Sequence, residues 1–594
     1  MSPRCFIFSL PNGPICFVRL SNLAYISTPK MSNATAGGPA PSGAQPTLSR
    51  HREEYRKIFV NLMAAAMGDR IPRVPSPQEI IDIRRETAQH IEHIRSLEAL
   101  QSMIEPRVDP RLEEALFRAR AVYRIYFCRI FRMNELPNEI MTNIFRYVVW
   151  SVPDARAGAQ WRLWLTWTCR RWRTIALEDP TLWNAIWFRD RPPFPRSFAW
   201  FERAASAPLD IRISFEKKWQ PTREQTVALL DRVFTKFPNI RMFIFIVESW
   251  DLVAIALDKL RDHGSRGIPI NIERLELHRT GHPYIQLGNA YTPVPLPEPM
   301  ALFGGVHAPR LQHVALNGVP ILWDTSIFSN LTTLDVRRLP LEMAPTLSRF
   351  RDILSSSPAL EKLCLDGAGP QLPPYDLPTQ RPIPLDNLKI LVICDFSVQY
   401  AEYVLSHFTA PRLLDLTLVN LVGEDYSPVL RMLTGRFPEV KLLTLYACEL
   451  VPTTASVLTT HRWLESLPLL TYLRLSSLPP LFLNLFIYDV HAARLPNPEE
   501  HLTPEQLRPN QILCPKLSII EAQPSLLSQL IPWIPKRANL GVPIRKVYAV
   551  RDPKEIGDDE PAWLEKCREL SRLTRVSGML PGTRTDEEIA LRST

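Results

Sequence analysis

The apolar positions of this chain change period as it runs. Over residues 51–132 they recur at helical spacing: Tyr55, Phe59, Leu62 and Met63, then, after the prolines of 72–77, Ile80, Ile81, Ile83, Ile91, Ile94 and Leu97, and finally Leu112, Leu116, Ala119, Val122, Tyr123 and Tyr126. Steps of three and four residues put each set on one face, so two or three helices are predicted. Over 133–190 the helical period becomes denser, with Ile140, Ile144 and Tyr147 forming one stripe and Met141, Phe145 and Val148 a second beside it. A helix apolar on two adjacent stripes meets two surfaces, its own core and another for which a partner is the candidate. A further helix is expected from about Gln160, carrying Trp161, Leu165 and Trp172 with Trp164 and Trp167 on its flanks.

Past Pro192 and Pro193 the period shortens. Residues 207–213 alternate as a first strand, and a three-point apolar pattern then appears eleven times at steps of 20 to 47 residues. Its copies run from Ile240/Phe243/Phe245 and Ile272/Leu275/Leu277 through Leu413/Leu416/Leu418 to Ile544/Val547/Ala549. Amphipathic segments such as 252–260, 347–354, 400–408, 429–437 and 455–467 separate them, which predicts units of one strand and one helix. One such unit cannot bury its own apolar face, so the units stack, with parallel strands side by side.

Composition adds punctuation. There are 57 Pro against 21 Gly, which predicts many short elements joined by stiff loops, with Pro-rich insertions at 293–299, 370–384 and 479–515. Residues 31–50 hold almost no charge or bulk and do not fold alone. The expected organisation is a disordered leader (1–50), a helical segment (51–132), the dense module (133–190), a linker (191–215), the repeat array (216–555), and a terminal cap helix over 561–575 with a frayed tail (556–594). In the leader the apolar run 5–10 is interrupted by Pro11, Gly13 and Arg19, so a signal peptide is not expected, and Met31 is an alternative start.

Charge and cysteine usage narrow the function classes. The net charge of +9 is unevenly spread: residues 1–135 hold 19 Lys+Arg against 13 Asp+Glu, 136–200 hold 9 against 5, and the remainder 42 against 43. A neutral array disfavours nucleic-acid binding. The nine Cys (5, 16, 128, 169, 364, 394, 448, 514 and 567) never stand as Cys-x-x-Cys, which reads as free thiols in a reducing compartment, the cytoplasm and/or nucleus. No apolar run reaches the roughly 20 residues of a membrane helix. Phosphate-cradling glycine loops, His-Glu-x-x-His and Gly-x-Ser-x-Gly are missing, so no catalytic residues and no cofactor are expected. His278 and His282, like His90 and His93, read as ordinary surface histidines rather than metal ligands.

The order Leu136-Pro137, Glu139-Ile140, Ile144-Phe145, then Cys169-Arg170-x-Trp172-Arg173 and Leu182-Trp183 resembles the F-box, a helical module that docks onto the Skp linker of SCF-type ubiquitin ligases. Phe145 and Cys169 stand 24 residues apart, farther than in most family members, with 152–160 as an apparent loop insertion. The three-point pattern resembles degenerate leucine-rich repeats, although the Asn or Cys expected after the last Leu is met only by Cys448. Together they resemble a fungal family of F-box proteins with such repeats.

The resemblance implies a mainly helical F-box followed by an α/β leucine-rich-repeat solenoid, parallel strands on the concave face and helices outside. It implies a substrate-recognition adaptor, not an enzyme, with Leu136, Pro137, Ile140, Ile144, Phe145, Cys169 and Trp172 contacting Skp or supporting the contact, and with cullin and a RING subunit reached through Skp. An unknown target protein is expected on the outward strand positions, among them Ile390, Val392, Val419, Tyr446 and Tyr472, flanked by charged positions such as Glu276, Asp335 and Lys362. Those outward positions are open unless a Pro-rich insertion or the tail lies over them. The alternative is a non-catalytic repeat scaffold whose F-box acts outside ubiquitination.

Overall fold

The structure, a computed structural model, describes residues 7–10, 13–16, 76–104, 109–130, 136–151, 155–215, 219–281, 298–372, 381–449, 451–487, 512–552, 556 and 560–593. The helix expected over Tyr55, Phe59, Leu62 and Met63, and His282, lie outside them. The chain divides into two compact units, Met1–Ala176 and Leu177–Thr594.

In the first unit, Ile7–Leu10 and Gly13–Cys16 pair antiparallel, with Phe8 opposite Ile15. This corrects the reading of 1–50 as unstructured throughout, since Ile and Phe on these short arms favour extended backbone. Helices α1 (Pro77–Ile104) and α2 (Pro110–Ile130) each start on proline, whose missing N–H costs nothing in a first turn. Ser76 and Glu79 close a capping box ahead of α1, each backbone N–H donating to the other's side chain. The pair is joined by Arg120 to Glu98 at 2.7 Å and by the His90 and Tyr126 rings, whose centroids are 5.1 Å apart.

Three shorter helices follow: α3 (Asn138–Trp150), α4 (Ala155–Thr168) and α5 (Arg170–Glu178). The single helix expected from Gln160 is therefore two, broken at Cys169, and α4 begins inside the stretch read as a loop insertion. Pro137 precedes α3 rather than lying within its first turn.

The second unit is built on one 14-stranded sheet: β1 (Ala185–Phe188), β2 (Leu209–Ser214), β3 (Ile240–Val247), β4 (Arg274–Arg279), β5 (His313–Asn317), β6 (Thr333–Arg337), β7 (Lys362–Asp366), β8 (Ile390–Cys394), β9 (Asp415–Leu421), β10 (Leu442–Cys448), β11 (Tyr472–Ser476), β12 (Ile519–Ala522), β13 (Lys546–Val550) and β14 (Arg575–Met579). Each strand pairs parallel with its neighbours in sequence, so spatial order is chain order. In all eleven copies of the three-point pattern the last two positions fall on one of β3 to β13 and share one side of the sheet, while the first, except Ile240, stands just ahead of the strand. Leu275, Val314, Leu334, Leu363, Leu391 and Leu416 form one such line, each at most 1% exposed. Burying an aliphatic side chain of this size contributes about 1.5–3 kcal/mol, so every unit adds a comparable increment.

Helices return the chain between most strands: α6 (Pro195–Arg203), α7 (Arg223–Val233), α8 (Trp250–Ser265), α9 (Leu347–Ser355), α10 (Val398–Ser406), α11 (Ser427–Leu433), α12 (Thr454–Glu465), α13 (Pro480–Asn484), α14 (Leu527–Asn539), α15 (Glu560–Ser571) and α16 (Asp586–Ser593). Thr222, Thr346, Ser397 and Thr453 cap four of them by accepting a hydrogen bond from the third residue on. Between β4 and β5 a 3-10 turn at Leu302–Gly305 stands where most other connections have a helix.

A recurring turn closes the units. The sixth residue counted from the strand start is left-handed in seven successive units: Gly318, Arg338, Gly367, Asp395, Asn420, Ala447 and Ser477, with φ between 48° and 63°. Only two are Gly, although non-glycine residues resist this region. The repeated bend is thus a property of the stack, and the unit is α/β and solenoid-like.

Four boundaries differ from expectation. The unit boundary after Ala176 places Leu182, Trp183 and β1 with the sheet, not with the module over 133–190. The stretch set apart as a linker, 191–215, belongs to the sheet unit, with α6 on the short helix expected over 197–205 and β2 on the first strand expected over 207–213. The sheet extends beyond 555 to β14, whose Val576 pairs with Val547. The tail is not frayed through 593, because it forms α16.

Candidate functional site

Two surfaces carry the residues singled out by sequence. The first is α3. Met141 and Phe145 are 0% exposed and Val149 is 2%, so the inner stripe is Met141, Phe145 and Val149 rather than one ending at Val148. Phe145 packs on Trp172, ring centroids 5.0 Å apart, which makes both supports of the helix rather than free surface. The outer stripe faces solvent: Ile140 and Tyr147 are each 47% exposed and Ile144 is half-buried, while just ahead of the helix Leu136 is half-buried and Pro137 exposed. Trp150 at the end of α3 adds an exposure of 44%. Exposed apolar groups clustered on one short helix mark an interaction surface.

The other predicted residue of this module is a support. Cys169 is half-buried at the α4–α5 break, where its sulfur accepts from the Trp172 backbone N–H at 3.5 Å. Sequence reasoning passed over Arg171, which donates to the Leu136 carbonyl at 2.7 Å and to Asn138 Oδ1 at 2.9 Å. It fixes the start of α3 to the start of α5. A doubled arginine, Arg170-Arg171, was the available signal, but helical phase did not say which member turns inward.

The second surface is the sheet face opposite the buried apolar lines. Over β4 to β7 it is charged and internally paired. Burial works against the Glu276 carboxylate, yet hydrogen bonds from His278 (3.0 Å) and His313 (3.3 Å) and the Arg274 guanidinium (2.6 Å) hold it far below the usual carboxylate range. Asp335 is likewise opposed by burial and held low by Arg337, whose Nε and Nη2 reach it at 2.6 and 2.9 Å, with Lys362 at 3.5 Å. His278 is thus a partner of Glu276.

Asp366, Cys394 and Asp395 bring three potential ligand atoms within 4.8 Å of one another. Burial, then the neighbouring Asp366 charge, pushes the Cys394 thiol well above its ordinary range, and Asp395 accepts from Asn420. Burial pushes the thiols of Cys364, Cys448 and Cys514 up to about 12 as well.

Over β8 to β10 this face mixes apolar positions with Asp415, Thr417 and Thr444. Ile390, Val392 and Val419 are half-buried on adjacent strands, and Tyr446 is 43% exposed. Tyr472 does not join them at the surface. It is 0% exposed, its hydroxyl donates to Glu521 at 2.8 Å, and it lies in a cluster with Leu442, Ile519 and Tyr548 that Met579 and Leu591 cover. The expectation that Tyr472 is open to a target is corrected, because the chain's own C-terminal segment is in the way. Among the described residues, no helix is long and apolar enough to cross a membrane. Comparison with protein-family models and with curated proteins found no match.

Proposed function

We propose that this chain is the substrate-recognition adaptor of an SCF-type ubiquitin ligase, its helical module an F-box and its stacked units degenerate leucine-rich repeats. The observation that carries the reading is the outward apolar stripe of α3. Ile140 and Ile144 lie on it, Leu136 and Pro137 stand just ahead of it, and the residues that complete the F-box order, Phe145 and Trp172, lie behind it as packing. Exposed apolar groups on a helix held rigid from behind are what a partner helix needs, since little ordering entropy is lost on docking.

In this reading the adaptor transfers nothing itself. It holds a target near a ubiquitin-charged enzyme brought by cullin and the RING subunit, so its contribution is effective concentration. The target docks on the sheet face opposite the buried apolar lines, where Ile390, Val392, Val419 and Tyr446 are accessible.

The test is co-purification of the intact protein with Skp and cullin. Retention of both, lost on a Leu136→Ala/Pro137→Ala double change that leaves the fold intact, is the expected result. No retention of Skp, or retention indifferent to that change, defeats the reading. Skp retained without cullin points instead to a scaffold acting outside ubiquitination.

A further inference from the structure

The last eight-residue helix lies across the sheet rather than extending it. Neighbouring strands stand about 4.8 Å apart, so β9 to β13 span about 19 Å, which a short helix bridges only with long side chains at both ends. Those side chains are charged and each meets its opposite. Glu587 accepts from Lys546 at 2.6 Å and from the Tyr548 hydroxyl on β13. Glu588 pairs with Arg474 on β11 at 3.0 Å, and the Arg592 Nε donates to Asp415 on β9 at 2.7 Å. Between them Leu591 seals the apolar cluster around Tyr472.

The helix is held to the sheet by side chains, among them Glu588, 2% exposed. Its tether contains Gly582 at φ +72°, where a Cβ meets nothing within 4 Å, and an exposed Leu580. Its outer side bears Ile589, 51% exposed. The surface beneath is also larger than the helix, because the accessible apolar positions on β8 to β10 continue beyond Arg592.

We infer that the face over β9 to β13 is a docking groove for an amphipathic helix of a partner protein, carrying an acidic pair followed four residues later by Leu-Arg, and that α16 is its intramolecular occupant. The occupant's chemistry defines the ligand: two carboxylates for Lys546 and Arg474, an apolar residue for the Tyr472 cluster and a cation for Asp415. A partner helix long enough to reach Ile390, Val392 and Tyr446 gains contacts α16 lacks, and so displaces a tether-favoured but shorter rival. While α16 is seated, the apparent affinity for any partner falls by the fraction of open chains. This narrows the target class of the adaptor reading and rests on that reading only in calling the partner a target.

The experiment uses a fluorescein-labelled synthetic peptide of residues 580–594 and full-length protein. A Leu591→Asp/Arg592→Glu double change unseats α16, and fluorescence anisotropy should report peptide binding at least about tenfold tighter than by the parent chain. Adding Asp415→Arg to the opened chain should cost about tenfold, and a peptide with Arg592→Asp should recover it. Equal binding by parent and opened chains with matching circular dichroism overturns the inference, as does failure of the charge exchange to recover binding. Unfolding of the opened chain overturns it too, because α16 is then part of the core. Skp retention measured on the same preparations separates the two readings: its loss in parent and variant alike removes the adaptor role while leaving groove binding to stand or fall by itself.

Discussion

Replacing Ile140 and Tyr147 together by alanine separates the outer stripe of α3 from its core. Tyr147 is 47% exposed. A tyrosine offers about 200 Å², so about 90 Å² remains for a partner to cover, worth about 2.3 kcal/mol at about 25 cal/mol per Å². Ile140, exposed to the same extent, has about 1 kcal/mol of its burial still to gain. The sum of about 3 kcal/mol corresponds to about a hundredfold loss of Skp affinity. Stability should move by no more than about 0.5 kcal/mol per site, since neither change opens a cavity. Phe145→Ala is the contrast: it empties a fully buried site and should cost about 3–5 kcal/mol of stability. Isothermal titration with purified Skp beside thermal melting reads both quantities. A double variant that melts with the parent and loses less than about threefold in affinity refutes the reasoning.

Other consequences follow from buried charge. Arg537 is 0% exposed and donates to the carbonyls of Phe486, Leu513 and Cys514 at 2.8, 2.6 and 2.7 Å, so Arg537→Met should strand three acceptors and destabilise by about 3–5 kcal/mol, read as a lower urea midpoint. Glu276 titrates far below the usual range when folded, so its contribution is present above the unfolded carboxylate pKa of about 4.3 and fades as pH falls below it. The gap in urea midpoint between parent and Glu276→Gln should therefore be widest near neutrality and shrink toward pH 3; a constant gap excludes the ion cluster as its source. Cys364 and Cys514, buried with thiols pushed up to about 12, should resist iodoacetamide at pH 8 in the folded chain and react on denaturation, as peptide mass mapping will report.

The strands were legible because their signal is doubled. Two apolar residues spaced by two face one side, and the parallel register lines them up with the same pair in the next unit, so Leu363/Leu365 and Leu391/Ile393 repeat one instruction. In the missed strands that pair is masked or incomplete. In β1 the sequence Ala-Ile-Trp-Phe has bulk on both sides, and Trp187 donates to Ser214 on the face where other strands carry polar groups. At the far end the inner line tapers from Leu475 through Ala522 and Ala549 to Gly578. A Cβ on Gly578 would stand in ordinary contact, 3.5 Å from the Trp563 ring, so at β14 the α15 ring takes the place that apolar side chains fill on the earlier strands.

The charged tail shows why one of the two surfaces was harder to read than the other. The α3 stripe is local: its phase follows from residues three and four apart, and the helix reports it without reference to anything distant. The groove over β9 to β13 is non-local, its ends defined by Arg592 and Asp415, 177 residues apart in sequence. Residues 586–593 hold only two large apolar groups, Ile589 and Leu591, too few to distinguish a docked helix from a solvated tail. What orders them is the complementary pattern on the sheet, acid to Lys546 and Arg474 and base to Asp415, which no window along the chain contains. The same separation gives the surface its selectivity. A ligand must present both signs at the spacing of four residues that Glu588 and Arg592 keep, so a uniformly acidic helix leaves Asp415 without its cation and a uniformly basic one meets Lys546 and Arg474 with like charge.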